Sequence, residues 1–430
     1  LSGRIHCVGC LTGELFDMAT KYWVGRAARV AQVSKIVFSS VTVSATYTIT
    51  INGKSVSVVA ATTVLADLVA LFAGAWSSSA EPEHQEVTLA GRFDPTLSGV
   101  QLTCNTTGVD FTVSASATSG SATVTTPTAA SGPNFWNVAG NWSGSTLPSA
   151  ADDLVLSNSD VSILYGLTDT TSYASLTIDA SYTGTIGLPS KNERGYPEYR
   201  TQHLTLGSGS AITVTIGNGI GSFSPMIKLD FGASNVTYTQ VGSSSSAFGT
   251  SSSAIELRTS SSASTYRVYG GSLSVVSGST ATITTLDVIR RDQSNIPNVV
   301  TSNAITITTA TVIGGNVKIS GPCTTLVARD GSEVTTAQAS AAATVRVGSR
   351  ARIGWESSGG ITTKLFVEAF GIIDFGRVAT SKTIAACDLY ASGAILDPLN
   401  IATFTNGIVL QACRLADVTL DVGIGVTINA

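Results

Sequence analysis

The stretches Leu326-Val327-Ala328-Arg329-Asp330-Gly331-Ser332-Glu333-Val334 and Val345-Arg346-Val347-Gly348-Ser349-Arg350-Ala351-Arg352-Ile353 have one form. Each is an apolar triplet whose alternate residues point inward, then a small bend, then a second strand. Leu365-Phe366-Val367-Glu368-Ala369-Phe370-Gly371-Ile372 and Val268-Tyr269-Gly270-Gly271-Ser272-Leu273 repeat it. Anchors at Val268, Leu286, Ile305, Leu326, Val345 and Leu365 follow one another at 18, 19, 21, 19 and 20 residues. Drift about a fixed period is how a solenoid with loops of varying length is written in sequence. A rung this small buries its inward side chains only against its neighbours, so the cooperative unit is the stack. The expected fold is mostly β: a right-handed parallel β-helix over residues 134–430, preceded by a small α+β module. A β-sandwich array or an up-and-down barrel would instead show hairpins of alternate polarity with more Asn-Gly turns.

Composition points the same way. Of 430 residues only 12% are charged, while Ser, Thr, Gly, Ala and Val dominate. Long solvated helices need the charged faces this chain lacks. Thr and Val suit pleated, half-buried surfaces, and Gly and Ser suit the turns between them. Mean hydropathy is positive, yet no run of about 18 apolar residues exists, so no membrane span is expected. A net charge of −4 and the lack of a basic stripe with interleaved aromatics argue against nucleic acid as a partner.

Upstream of the solenoid, Tyr47, Ile49 and Ile51 alternate with Thr, and Val56 and Val58 with Ser, around Asn52-Gly53. That is a hairpin signal, since both turn positions tolerate positive φ. Thr62 or Thr63 can cap a helix carrying Val64, Leu65, Leu68, Val69, Leu71 and Phe72, ending near Gly74. Strands are expected at 87–89, 100–104 and 111–116. These make 18–116 a small α+β module, joined to the solenoid by a Ser/Thr/Ala linker over 117–133. Residues 1–17 lack the continuous apolar stretch of a signal peptide. Gly13-Glu14 can be encoded by a ribosome-binding sequence, and the expectation is that 1–17 are translated upstream DNA before a start at Met18. Cys7 and Cys10 beside His6 form a lone CxxC with no second half, so no metal is expected. Cys104, Cys323, Cys387 and Cys413 sit among strand residues and read as small buried hydrophobes.

Phe135-Trp136-Asn137, Asn141-Trp142-Ser143, Gly144, Pro148 and Asp152-Asp153-Leu154-Val155-Leu156 form an ordered series before the first rung. Trp136 and Trp142 can cap the open end of a solenoid, which otherwise exposes core and strand edges; the sharper reading is an aromatic carbohydrate platform. One dense polar cluster follows: Lys191-Asn192-Glu193-Arg194-Gly195-Tyr196-Pro197-Glu198-Tyr199-Arg200, then His203. As a projecting loop, its Arg194, Tyr196, Tyr199, Arg200 and His203 can stack on a sugar or seat a neighbouring subunit; the bland alternative is a self-satisfied salt-bridged loop. Outward carboxylates (Asp230, Glu256, Asp287, Asp330, Glu333, Glu368, Asp374) pair by accident on a solenoid whose rungs lie about 5 Å apart. With three His and no nucleotide, zinc or calcium motif, no catalytic residue and no cofactor is assigned.

This Trp segment, with Tyr22-Trp23-Val24-Gly25, Val30-Ala31-Gln32-Val33, the 47–54 hairpin and Gly132-Pro133-Asn134, resembles tailed-bacteriophage or phage-derived β-helical virion proteins of tail-fibre or tailspike type. The resemblance implies a non-enzymatic attachment protein of a virion assembled in cytoplasm, where free cysteines are at home. The module would be an adaptor and the β-helix a shaft or receptor surface. Expected partners are other copies of the chain, a trimer being common for fibres, other virion proteins and a host surface glycan. A secreted bacterial adhesin would need an export signal. A polysaccharide-degrading spike would need a carboxylate cluster in a groove and would reveal itself by cleaving a host glycan.

Overall fold

The structure is a computed structural model, and it describes residues 19–94, 97–192, 195–217, 226–241, 255–337, 340–423 and 425–429. The expected start at Met18 and the His6-Cys7-Cys10 group lie outside these residues.

From residue 153 onward the chain winds about 11 turns of a parallel β-solenoid. At ~4.8 Å per stacked strand the shaft is roughly 55 Å long. Among the described residues its walls are a 16-stranded and an 11-stranded parallel sheet. Consecutive turns place Leu326, Val345, Leu365, Cys387 and Ile408 in one inward column of the larger sheet. Val288, Val312, Ala328, Val347, Val367 and Leu389 stack in the column two residues on. All of these are buried in a single core. On the outer face of the same sheet Thr213, Thr237, Thr265, Thr285, Thr309, Thr325 and Thr344 stand in register with one another. Stacked β-branched side chains of one kind pack well on a pleated face, which is where the chain's Thr content goes.

Two anchors are corrected. The partner of Leu286 and Leu326 is Ala310, whereas Ile305 pairs with Ala281 at the other end of the same strand. Ile305–Ile313 is nine residues long, and hydrophobicity alone favours its Ile over its Ala. Val268 likewise stacks on Val288 in the neighbouring column, not on Leu286.

The domain boundaries also change. Thr20–Tyr22 pairs in parallel with Asp153–Leu156, so residues 20–22 belong to the wall of the solenoid and not to the preceding module. The α+β unit is thus an insertion between two adjacent solenoid strands. It holds a four-stranded and a three-stranded antiparallel sheet. Thr46–Ile51 and Lys54–Val59 form the expected hairpin, with Asn52 and Gly53 at φ 53° and 81°. The helix Leu65–Ser77 buries Leu68, Val69 and Phe72, and Phe72 stacks on Phe38. Thr62 does not cap that helix end in the usual way; its hydroxyl accepts from Val64 N–H and donates to Asp67.

Residues 117–133 are no linker. Ser121–Thr128 is a strand antiparallel to Val33–Ser39, and Val113–Ala117 pairs with Thr46–Ile51. Ser, Thr and Ala in alternation are as fit for the solvated face of a sheet as for a linker, and only the partner strand decides between them. Among the described residues no helix is long and apolar enough to cross a membrane. Cys104, Cys323, Cys387 and Cys413 are all free thiols, the first three buried. Burial pushes the Cys323 thiol up to about 12, which leaves it a packing group and a poor nucleophile.

Candidate functional site

A partly buried polar constellation lies where the polar loop at residues 188–203 meets the inserted module. Gly187, at φ 92°, starts the loop with its backbone close against Gln202. The loop then folds back on itself through hydrogen bonds from Glu198 N–H to Ser190 O and from Asn192 N–H to Tyr196 O.

Arg200 is the centre. Its Nε and Nη2 donate to both carboxylate oxygens of Glu198 at 2.9 and 3.0 Å. Its Nη1 lies 3.6 Å from Asp110 Oδ1 of the module. The guanidinium sits 5.0 Å from the Tyr165 ring centre and 5.2 Å from that of Tyr199, distances at which a cation is attracted to the ring quadrupole. Asp110 Oδ1 is buried although the side chain as a whole is 36% exposed. Burial pushes the Asp110 carboxyl up, and Arg200 opposes that. Burial also acts to raise Glu198, but the hydrogen bonds from Arg200 outweigh it and the carboxyl ends below its ordinary range. Beside this group Asn137, Tyr165, Thr168, Tyr199 and Asp110 line a half-open cavity of about 270 Å³.

The site residues expected from sequence are therefore dispersed in role. Tyr199 and Arg200 share the junction. Tyr196 donates its hydroxyl to Glu86 Oε1 of the module at 2.8 Å, a second strap across the same boundary. Arg194 lies outside the described residues. His203 does not join them: it is buried and its Nε2 lies 2.7 Å from Glu256 Oε1 on the solenoid wall. Instead of projecting, the loop closes on its own chain. Asp110, Glu86 and Tyr165 were not foreseen, because nothing local to an isolated Asp reports a partner about 90 residues away.

Trp136 and Trp142 are each 1% exposed, so neither ring offers a face to a sugar. They pack with Trp23, which stacks on Trp136 at 6.2 Å and meets Trp142 edge-on at 5.4 Å. Their indole N–H groups are all used: Trp136 on Asp169, Trp142 on Trp136 O, Trp23 on Val161 O.

Most outward carboxylates carry a cation partner. Glu368 takes Arg329 and Arg346, Asp374 takes Arg352 and Arg377, Glu333 takes Arg377, Asp287 faces Arg267 and Glu256 faces Arg258. Among the described residues no three His, Cys, Asp or Glu gather as metal ligands.

Glu256 gives a pH test. The hydrogen bond to His203 holds its carboxyl below the ordinary glutamate range, burial opposes, and Lys228 and Arg258 assist. A carboxyl depressed in the folded state stabilises above its unfolded pKa, and that contribution disappears as pH falls through the folded value. Thermal midpoints followed by circular dichroism are expected to fall on acidification below about pH 4, and Glu256→Gln is expected to flatten that limb. Superimposable curves would refute the contribution.

Compared with known proteins, the chain is matched by no protein-family model, no curated protein and no solved structure.

Proposed function

We propose that this chain is a non-catalytic attachment protein, a fibre-like component of a particle surface whose solenoid is the shaft and whose inserted module is the adaptor. The observation that carries the reading is the way the module is tied in. It leaves the wall after Thr20–Tyr22, returns at Asp153–Leu156, and is strapped to the shaft by Arg200–Asp110 and Tyr196–Glu86. A load passed along the shaft then reaches the module through two chain crossings and two polar contacts. The outward carboxylates Asp287, Glu333, Glu368 and Asp374 fit the same reading, since pairing with Arg neutralises them as acids and bases while keeping the wall solvated.

A virion assembled in cytoplasm is the setting that free, buried cysteines favour. Light scattering on the full chain, with SDS gels run with and without boiling, tests the fibre. A trimer that resists SDS until boiled is the expected result, and a monomer at all concentrations overturns a self-standing fibre. Release of reducing ends from a host surface polysaccharide would overturn the non-catalytic part and favour a degrading spike.

A further inference from the structure

The corner joining the two walls carries side chains that its backbone disfavours. On successive turns Gly331, Arg350, Phe370 and Ser392 each follow a strand of the larger sheet and adopt φ 73°, 65°, 60° and 64°. Backbone bonds tie the first three turns together: Gly331 N–H donates to Ser349 O and Ser349 N–H to Ala369 O, both at 2.9 Å. Left-handed backbone is natural for Gly and rare for bulky residues. Gly331 shows what the corner asks for, and nothing lies within 4 Å of where its Cβ would stand. Arg350 and Phe370 occupy the equivalent place on the next two turns against that preference.

Neither is repaid by packing. Phe370 is 59% exposed, the most exposed large apolar side chain among the described residues. Arg350 is exposed too, and among the described residues neither Arg350 nor the Asp330 carboxylate makes a hydrogen bond or ion pair. Asp330, Gly331, Ser349, Arg350 and Phe370 together line one shallow concavity. Strained residues kept with free polar groups and an open ring are the pattern of a ligand site.

We infer that Asp330, Arg350 and Phe370 form a subsite for an acidic hexopyranose of a surface glycan. The Phe370 ring supplies a flat apolar face for the sugar's C–H groups. Arg350 presents its planar fork to a sugar carboxylate, and Asp330 accepts from ring hydroxyls. Two turns of stacking separate Asp330 from Phe370, about 10 Å, the reach of one to two sugar units. Nearby, Arg329 and Arg346 share the single carboxylate of Glu368, which leaves the corner net basic and favours an anionic unit over a neutral one. The inference rests on the attachment reading and places its glycan contact on the shaft, away from the 188–203 loop.

Binding of the full chain to a microarray of acidic and neutral bacterial surface glycans tests it. Expected is binding to acidic glycans, weakened by salt. Phe370→Gly should lower affinity at least about tenfold while leaving the thermal midpoint unchanged or slightly raised, because Gly relaxes the corner. Phe370→Tyr, which keeps both ring and strain, should retain binding. Arg350→Gly should remove the preference for acidic over neutral glycans. Equal binding by wild type and both Gly variants would place the glycan contact elsewhere and leave the attachment reading standing. No binding to any glycan would overturn the inference, while the oligomer measurement decides the fibre separately. A Gly variant that melts lower than wild type would remove the strain argument, and the Tyr variant would then decide the role of the ring.

Discussion

Trp142→Ala is expected to lower the free energy of unfolding by about 3–5 kcal/mol, the usual range for deleting a fully buried large aromatic. Trp142 is 1% exposed, meets Trp136 and Trp23 edge-on at 4.6 and 5.4 Å, and donates its indole N–H to Trp136 O at 2.9 Å. It also bridges Trp23 through the backbone. Truncation would leave a cavity at the end of the stack and a buried carbonyl without its donor. Trp23 of the cluster donates its backbone N–H to Val155 O, and Asp153–Leu156 pairs in turn with Ser175–Ile178, so amide exchange should accelerate in these two strands first and leave the turns beyond residue 300 protected. Urea unfolding followed by circular dichroism gives the energy, and exchange mass spectrometry the location. A change under about 1 kcal/mol would show that the cluster does not hold the end of the shaft.

A larger effect is expected from Leu326→Asp. Leu326 is fully buried in mid-shaft, stacked between Ala310 and Val345. A carboxylate there has no cation within the column and must be desolvated or protonated, a cost above about 4 kcal/mol. In a solenoid each turn is stabilised by its two neighbours, so a broken turn removes interface energy from both sides. The expected outcome is loss of the single cooperative transition: two melting steps by calorimetry, with exchange protection lost around residues 305–347 and retained at both ends. Val327→Asp, on the outward side of the same strand, is the control and should stay within about 1 kcal/mol of wild type. One unbroken transition at an unchanged midpoint for Leu326→Asp would mean that the inward register is wrong.

Local rules read well where the physics is local. Asn52-Gly53 announced its hairpin because a two-residue turn with both φ positive leaves few residue choices. The inward triplets around Leu326, Val345 and Leu365 were legible because a strand's two faces alternate. Misreadings occurred where two partners competed for one pattern. Ile305 outranked Ala310 as an anchor on hydrophobicity, yet the turn before it sets the register, and a small Ala fills the column between Leu286 and Leu326.

By itself the sequence determined the class of the protein: a stacked solenoid with a small α+β unit near its start, poor in charge because most of its side chains face the core or a ladder of like neighbours. Period, alternation and turn chemistry are carried within about 20 residues, so they survive in the one-dimensional record. Only the tertiary structure decided that residues 20–22 close the wall against Asp153–Leu156, that 121–128 is a strand, and that Trp23 completes the aromatic cluster with Trp136 and Trp142. It alone turned the Tyr196–Arg200 loop inward onto Glu86 and Asp110 and left Arg350 and Phe370 outward on a left-handed corner. Each of these depends on which distant segment arrives as the partner, and a side chain's own sequence neighbourhood holds no record of that.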